Sequence, residues 1–350
     1  MKSKAIKITV MALVISAVSC NNPETVVTDI LHPGGSVTRK IEMRNTENNF
    51  KVKDVQVPYD STWLIRDSIE CPKTGDTVWI RRAEKKFASV EELNQLYSKD
   101  SSYNKSFKRH VGLKKKFRWF NTDYLFEEII ESKMKYAYPA SDFYSAEELQ
   151  IFYLPNNLWQ QKRNGPDSLK YKLVEESMAK KNDLWVKKSF ISEWIHEFSA
   201  LLPAGTDKSL GLDSLKARED YFMTVVQKHS DNFDSLWKSG LILEELINET
   251  NAQKYRREAD SAGTIALDRV VADFRDYQQK IVMPGKLIGT NGFADSTLVL
   301  QWPVKSDLFF AEPYRMWAES KITNTWAWIV TGCFLVFVAA GLIIRRIRRK

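Results

Sequence analysis

The sequence predicts an α+β protein. An antiparallel, β-rich domain is drawn from both ends of an exported region, a helical block is inserted between them, and one transmembrane helix follows at the C-terminus. Three observations predict this. Apolar and polar residues alternate in short runs bounded by turn residues near residues 25–130 and again near 280–322. Between them the apolar period lengthens to that of a helix. Finally, Trp326 to Ile344 is a run of 19 residues without a charge.

That last run, as a helix, spans about 28 Å, close to the hydrocarbon thickness of a bilayer. Trp326 and Trp328 stand at one end, where indoles favour the headgroup layer, and Arg345, Arg346, Arg348, Arg349 and Lys350 stand at the other. Cations beside a span stay on the cytoplasmic side. The expectation is a span over 326–344, a basic cytoplasmic tail over 345–350, and everything before Trp326 outside.

The N-terminus carries a second membrane signal. Lys2, Lys4 and Lys7 precede a short apolar stretch, Ile6 to Val18, and Ala17-Val18-Ser19 leads to Cys20. This reads as an export signal over 1–19. The "AVSC" run resembles the lipobox of bacterial lipoproteins, in which the cysteine is acylated, so lipidation is expected at Cys20. Ala17 departs from the leucine usual there. Ordinary cleavage after a small residue and an uncleaved anchor are the other two readings. Together the signals place the chain at the bacterial inner membrane with its bulk in the periplasm. Cys71 is then the one cysteine outside the signal and the span, and it is expected to be a buried apolar residue.

The net charge of +8 follows from topology. Eight of the 52 bases lie in the signal and the tail, which hold no acid; the remaining 44 equal the 44 acids. A nucleic-acid partner is excluded on that distribution. One local cluster remains in "KSFKRHVGLKKKFRWF". Lys105, Lys108, Arg109, Lys114, Lys115, Lys116 and Arg118 are interleaved with aromatics including Trp119. Basic residues beside aromatics suit an anionic lipid surface or an acidic protein partner; a solvated loop running into a half-buried strand is the commoner source of such a pattern.

In chain order, "TVVTDILHPGGSVTRKIEMRN" predicts a hairpin around Pro33-Gly34-Gly35, and a second hairpin is expected across Lys73-Thr74-Gly75. "VEELNQLYS" predicts a short helix, and "KKKFRWFNTDYLFEEIIES" one long strand bulged at Asn121-Thr122. Ser145 with Glu148 forms a capping box. One helix is expected from Pro166-Asp167 to about Lys181 and another over "DLWVKKSFISEWIHEFSALL". "DSLKAREDYFMTVVQKH", "DSLWKSGLILEELINET" and "GTIALDRVVADFRDYQQK" predict further helices. Met223, Val226 and Leu241 read as core. "KIVMPGKLIGTNG", "DSTLVLQWPV" and "YRMWAES" return to strands. The expected boundaries are 20–140 with 279–322 for the β-rich domain and 141–278 for the helical block.

The strands "MPGKLIGTNGF", "STLVLQWPV" and "RMWAES", just ahead of one span, resemble the end of a class of exported bacterial domains that includes the LppM-like envelope lipoproteins. "HPGGSVTRKIEM" is similar to their opening hairpin. The likeness covers roughly 70 residues, and the helical block departs from it. It implies an α+β envelope domain close to the lipid surface, with lipid as a ligand and no catalytic residues.

Chemistry is sparse. His196-Glu197 lacks the second histidine of a zinc-protease helix. No cysteine pair has metal spacing, no phosphate loop or nucleophile elbow is present, and no cofactor is expected. Glu127, Glu128 and Glu131 are the one carboxylate set worth testing. The expected function is therefore a non-enzymatic, membrane-tethered envelope lipoprotein binding lipid or an envelope protein. An assembly factor of an envelope complex is the alternative, and a hydrolase of envelope polymers a more distant one.

Overall fold

The computed structural model describes residues 24–50, 57–71, 76–99, 107–229, 233–272, 274–295, 297 and 299–349. The signal segment with Cys20, Lys105, and the turn at Lys73-Thr74-Gly75 lie outside the described residues. In order the elements are β1 (Glu24–Leu31), β2 (Val37–Asn45), β3 (Leu64–Glu70), β4 (Val78–Phe87), α1 (Val90–Lys99), β5 (Arg109–Arg118) and β6 (Asn121–Ile130). Next come α2 (Ala146–Phe152), α3 (Asn156–Arg163), α4 (Ser168–Leu201), α5 (Leu212–Lys216), α6 (Glu219–Lys228), α7 (Phe233–Ser239), α8 (Leu241–Ile247), α9 (Glu249–Lys254) and α10 (Arg256–Val270). The chain closes with β7 (Tyr277–Val282), β8 (Lys286–Thr290), β9 (Phe293–Ala294), β10 (Leu300–Val304), β11 (Tyr314–Thr323) and α11 (Thr325–Ile347).

The chain divides into two compact units. One, the β unit, holds residues 23–130, 277–302 and 315–350; the helical unit holds 131–276 and 303–314. The β unit has a seven-stranded sheet in the order β3-β4-β2-β1-β7-β10-β9 and a four-stranded sheet in the order β5-β6-β11-β8. The two ends of the sequence meet where β1 pairs with β7. That pair is parallel, in sheets otherwise dominated by antiparallel pairs, as expected of an antiparallel β-rich unit. A parallel pair needs a long crossover, and the helical block between the two strands supplies it.

Alternation builds these strands. Val27 and Leu31 on β1, and Val37, Ile41 and Met43 on β2, are buried while their neighbours are not. On β6 the buried set is Thr122, Tyr124, Phe126, Glu128 and Ile130. Glu127 and Glu128 therefore point to opposite faces, and the carboxylate set is not assembled. "KKKFRWFNTDYLFEEIIES" is two strands, not one: Arg118 pairs with Asn121, leaving Trp119-Phe120 as a two-residue turn. Neither residue has the positive φ that tight hairpins usually require.

In the helical unit, the capping box forms as expected, with the Glu148 N–H donating to Ser145 Oγ at 3.3 Å and the Ser145 N–H to Glu148 Oε2 at 2.7 Å. The two helices expected on either side of Asp183 are one, α4, 34 residues long. Asn182 and Asp183 do not break it: Asn182 accepts from the Tyr144 hydroxyl at 3.2 Å, and Asp183 pairs with Lys187 one turn on at 2.7 Å. Trp194 and Phe198 of α4 stack at 4.9 Å, and Trp194 Nε1 donates to the Ala259 carbonyl over the alanine face of α10. Met223 and Val226 are in this core, but Leu241 is 54% exposed. It follows Gly240, whose φ of 93° breaks α7 from α8 and turns Leu241 outward. The expected helix over "GTIALDRVVADFRDYQQK" stops at Val270, and Tyr277 onward is β7. Cross-strand pairing with β1 overrides the local pattern there. Cys71 is exposed, contrary to expectation, at the end of an edge strand that is exposed on both faces.

Candidate functional site

The β5–β6 turn is held by tertiary contacts. One residue, Asn324, separates β11 from α11. Its side-chain Nδ2 donates to the carbonyls of Arg118 at 2.8 Å and Trp119 at 3.2 Å. Its Oδ1 accepts from Thr122 Oγ1 at 3.1 Å, and its backbone N–H donates to the Phe120 carbonyl at 2.9 Å. Asparagine suits the post, because one amide supplies donors and an acceptor together. A turn with the wrong local chemistry is thereby fixed from a residue two hundred positions away.

The aromatic residues of the hairpin complete the clasp. Phe117 stacks on Trp326 at 6.3 Å, Trp119 meets Trp326 edge-on at 5.3 Å, and Phe120 packs on Trp328 at 4.3 Å. Trp119 Nε1 donates to Thr331 Oγ1 at 2.8 Å. Thr331 is six residues into α11, so the tip reaches about 9 Å along that helix. α11 itself is 23 residues of almost wholly unburied apolar surface, long enough to cross a bilayer.

The predicted basic residues divide by strand parity. Lys114, Lys116 and Arg118 lie on the outer face of β5, whereas Phe117, which shares the parity of Lys115, is exposed near the turn together with Trp119. Lys114 and Lys116 make no ion pair among the described residues. Arg118 pairs with Asp123 at 2.5 Å and holds that carboxyl below the usual range, with Lys321 adding to the effect. Lys115 turns the other way, donating to the Pro33 carbonyl at 2.8 Å and lying over the Tyr124 ring. Lys108 is exposed.

Arg109 does not belong to the outer surface. Its guanidinium faces the interior of the β unit, where Nη1 donates to the Tyr277 hydroxyl at 2.9 Å and the group lies over the Tyr97 ring. It joins a network in which Arg39 grips Asp29 through two hydrogen bonds of 2.7 and 2.6 Å, reaches Tyr97, and approaches Glu128 at 3.9 Å. Gln279 donates to Asp29 at 2.8 Å. Asp29, Arg39, Glu128 and Gln279 are fully buried, and burial pushes the Glu128 carboxyl up. The arrangement is a neutralised ionic core, since each buried charge faces an opposite one.

Sequence reasoning missed Asn324, which had no local signal. His196, read as structural, stacks on Tyr136 at 3.8 Å, and burial lowers its basicity. Among the described residues no group of three His, Cys, Asp or Glu side chains is placed to hold a metal ion. No family model, no curated protein and no solved structure matches this chain.

Proposed function

We propose that this protein is a non-enzymatic, membrane-tethered envelope lipoprotein that binds anionic lipid through the β5–β6 hairpin. On this reading Cys20 carries acyl chains and α11 spans the bacterial inner membrane. The bulk of the chain lies in the periplasm, and the basic tail after Ile344 faces the cytoplasm. The observation that carries it is the clasp between the hairpin tip and the first turns of α11. If α11 crosses the bilayer, the tip, reaching about 9 Å along it, lies at the interfacial layer, about 5–8 Å thick on each side, and the adjoining edge of the hydrocarbon. Phe117 and Trp119 are then exposed where aromatic rings favour the headgroup boundary, and Lys114 and Lys116 are unpaired where the lipid phosphates lie. The LppM-like resemblance agrees with such a position.

The test uses the full-length protein in nanodiscs of phosphatidylcholine with and without phosphatidylglycerol, counting retained lipid by native mass spectrometry. Preferential retention of the anionic lipid is expected, and Lys114→Gln/Lys116→Gln should lower it by tens of fold, at about 1 kcal/mol per cation. Lys115 is left in place because it holds Pro33. Equal retention of both lipids by the unaltered protein would refute the reading.

A further inference from the structure

The outer face of the four-stranded sheet continues the basic surface onto strands that the linear sequence keeps apart. In β8 and β11, Lys286 and Lys321 are directly opposed across the ladder, so both side chains leave the same face, and both are exposed. Like charges at opposed positions destabilise a sheet. The backbone nevertheless adopts the pairing. Gly285, with φ of 78°, packs so closely under β11 that an added Cβ would lie 2.4 Å from the Lys321 carbonyl oxygen. Glycine at this turn thus permits the close approach that accompanies the Lys286–Lys321 register.

From Lys321 the face runs to β6, where Asp123 feels its charge, and on to Arg118, Lys116 and Lys114 of β5. The membrane end of the sheet thus presents five cations against two carboxylates, Asp123 and Glu319. Its height is fixed by the chain. Lys321 precedes the start of α11 by four residues, at most about 13 Å of strand. That is within the headgroup layer plus one Debye length of about 8 Å.

We propose that Lys286 and Lys321 form an anionic-headgroup seat, distinct from the hairpin tip, in which a lipid phosphate lies between the opposed ammonium groups and relieves their repulsion. The occupant is the anionic phospholipid of the membrane that α11 crosses. Charge complementarity and the few residues between Lys321 and the span both favour it over an acidic protein. The proposal rests on the membrane reading above, and its test separates the two.

In the same nanodisc assay, Lys286→Gln/Lys321→Gln should lower phosphatidylglycerol retention about 30-fold, at roughly fivefold per cation removed. The loss should shrink at high salt. Asp123→Asn should raise retention about fivefold, an increase that loss of a merely structural residue does not produce. Lys286→Glu, which replaces a repelling pair by an attracting one, should leave the melting temperature level or higher while lowering retention. Unchanged retention in both Lys286/Lys321 variants, with the hairpin variants still defective, would overturn the seat and leave the hairpin reading standing. No preference for anionic lipid in the unaltered protein would overturn both and turn attention to an acidic protein partner.

Discussion

Replacing Asn324 with alanine should free the β5–β6 turn from α11 without unfolding either unit. The side chain makes three hydrogen bonds, two donated to Arg118 and Trp119 and one accepted from Thr122. At about 0.5–1.5 kcal/mol each, their sum is roughly 1.5–4.5 kcal/mol. Water can replace the partners of carbonyls at an exposed turn, which moves the expected loss toward the lower part, about 2 kcal/mol. The backbone bond from the Asn324 N–H to Phe120 survives the change. A loss of 2 kcal/mol corresponds to about a 30-fold rise in local opening. The assay is hydrogen exchange on the full-length protein in nanodiscs, read over residues 117–124, with the seven-stranded sheet as internal reference. Thr122→Val, which removes one bond, should give about a fivefold rise. Protection within threefold of the unaltered protein for Asn324→Ala would refute the clasp, because the turn would then be holding itself.

Ser145→Ala should destabilise the helical unit by about 1 kcal/mol, the usual worth of an N-cap, measured by urea unfolding. Glu148 accepts from Lys181 and from the Ser145 N–H, which holds its pKa at about 2 against an ordinary 4.5. The depressed value means that its contribution is present above pH 4.5 and is lost as pH falls from 4.5 toward 2; Glu148→Gln should flatten that part of the stability profile. Arg39→Ala leaves Asp29 buried without its counter-ion and should cost about 3–5 kcal/mol in thermal unfolding, whereas adding Asp29→Ala should recover part of the loss. In spheroplasts, a membrane-impermeant maleimide should label the exposed Cys71 without lysis; labelling only after lysis would place the β unit on the other side of the membrane.

Local chemistry by itself determined a good deal of this protein. Alternation around Pro33-Gly34-Gly35 is enough for the first hairpin, because glycine at Gly35 provides the positive φ that the turn takes. The capping box at Ser145 and Glu148 is legible because its partners are three residues apart. The apolar helix is legible because hydropathy over about 20 residues needs no tertiary context. What only the tertiary structure decided involves partners distant in sequence. The hairpin at Trp119-Phe120 has no turn residues and exists through Asn324, so the sequence reads as one continuous strand. Arg109 looks like a member of the basic run, but strand parity and the buried hydroxyl of Tyr277 draw it inward. Residues 277–280 continue a helical period and become a strand because β1 offers a ladder. Lys286 and Lys321 lie 35 positions apart and become neighbours only through the register of β8 on β11. Short-range patterns set where helices, turns and the membrane segment form. Which charges share a surface is fixed by pairing between distant strands, and pairing energy depends on the partner strand as well as on the strand itself.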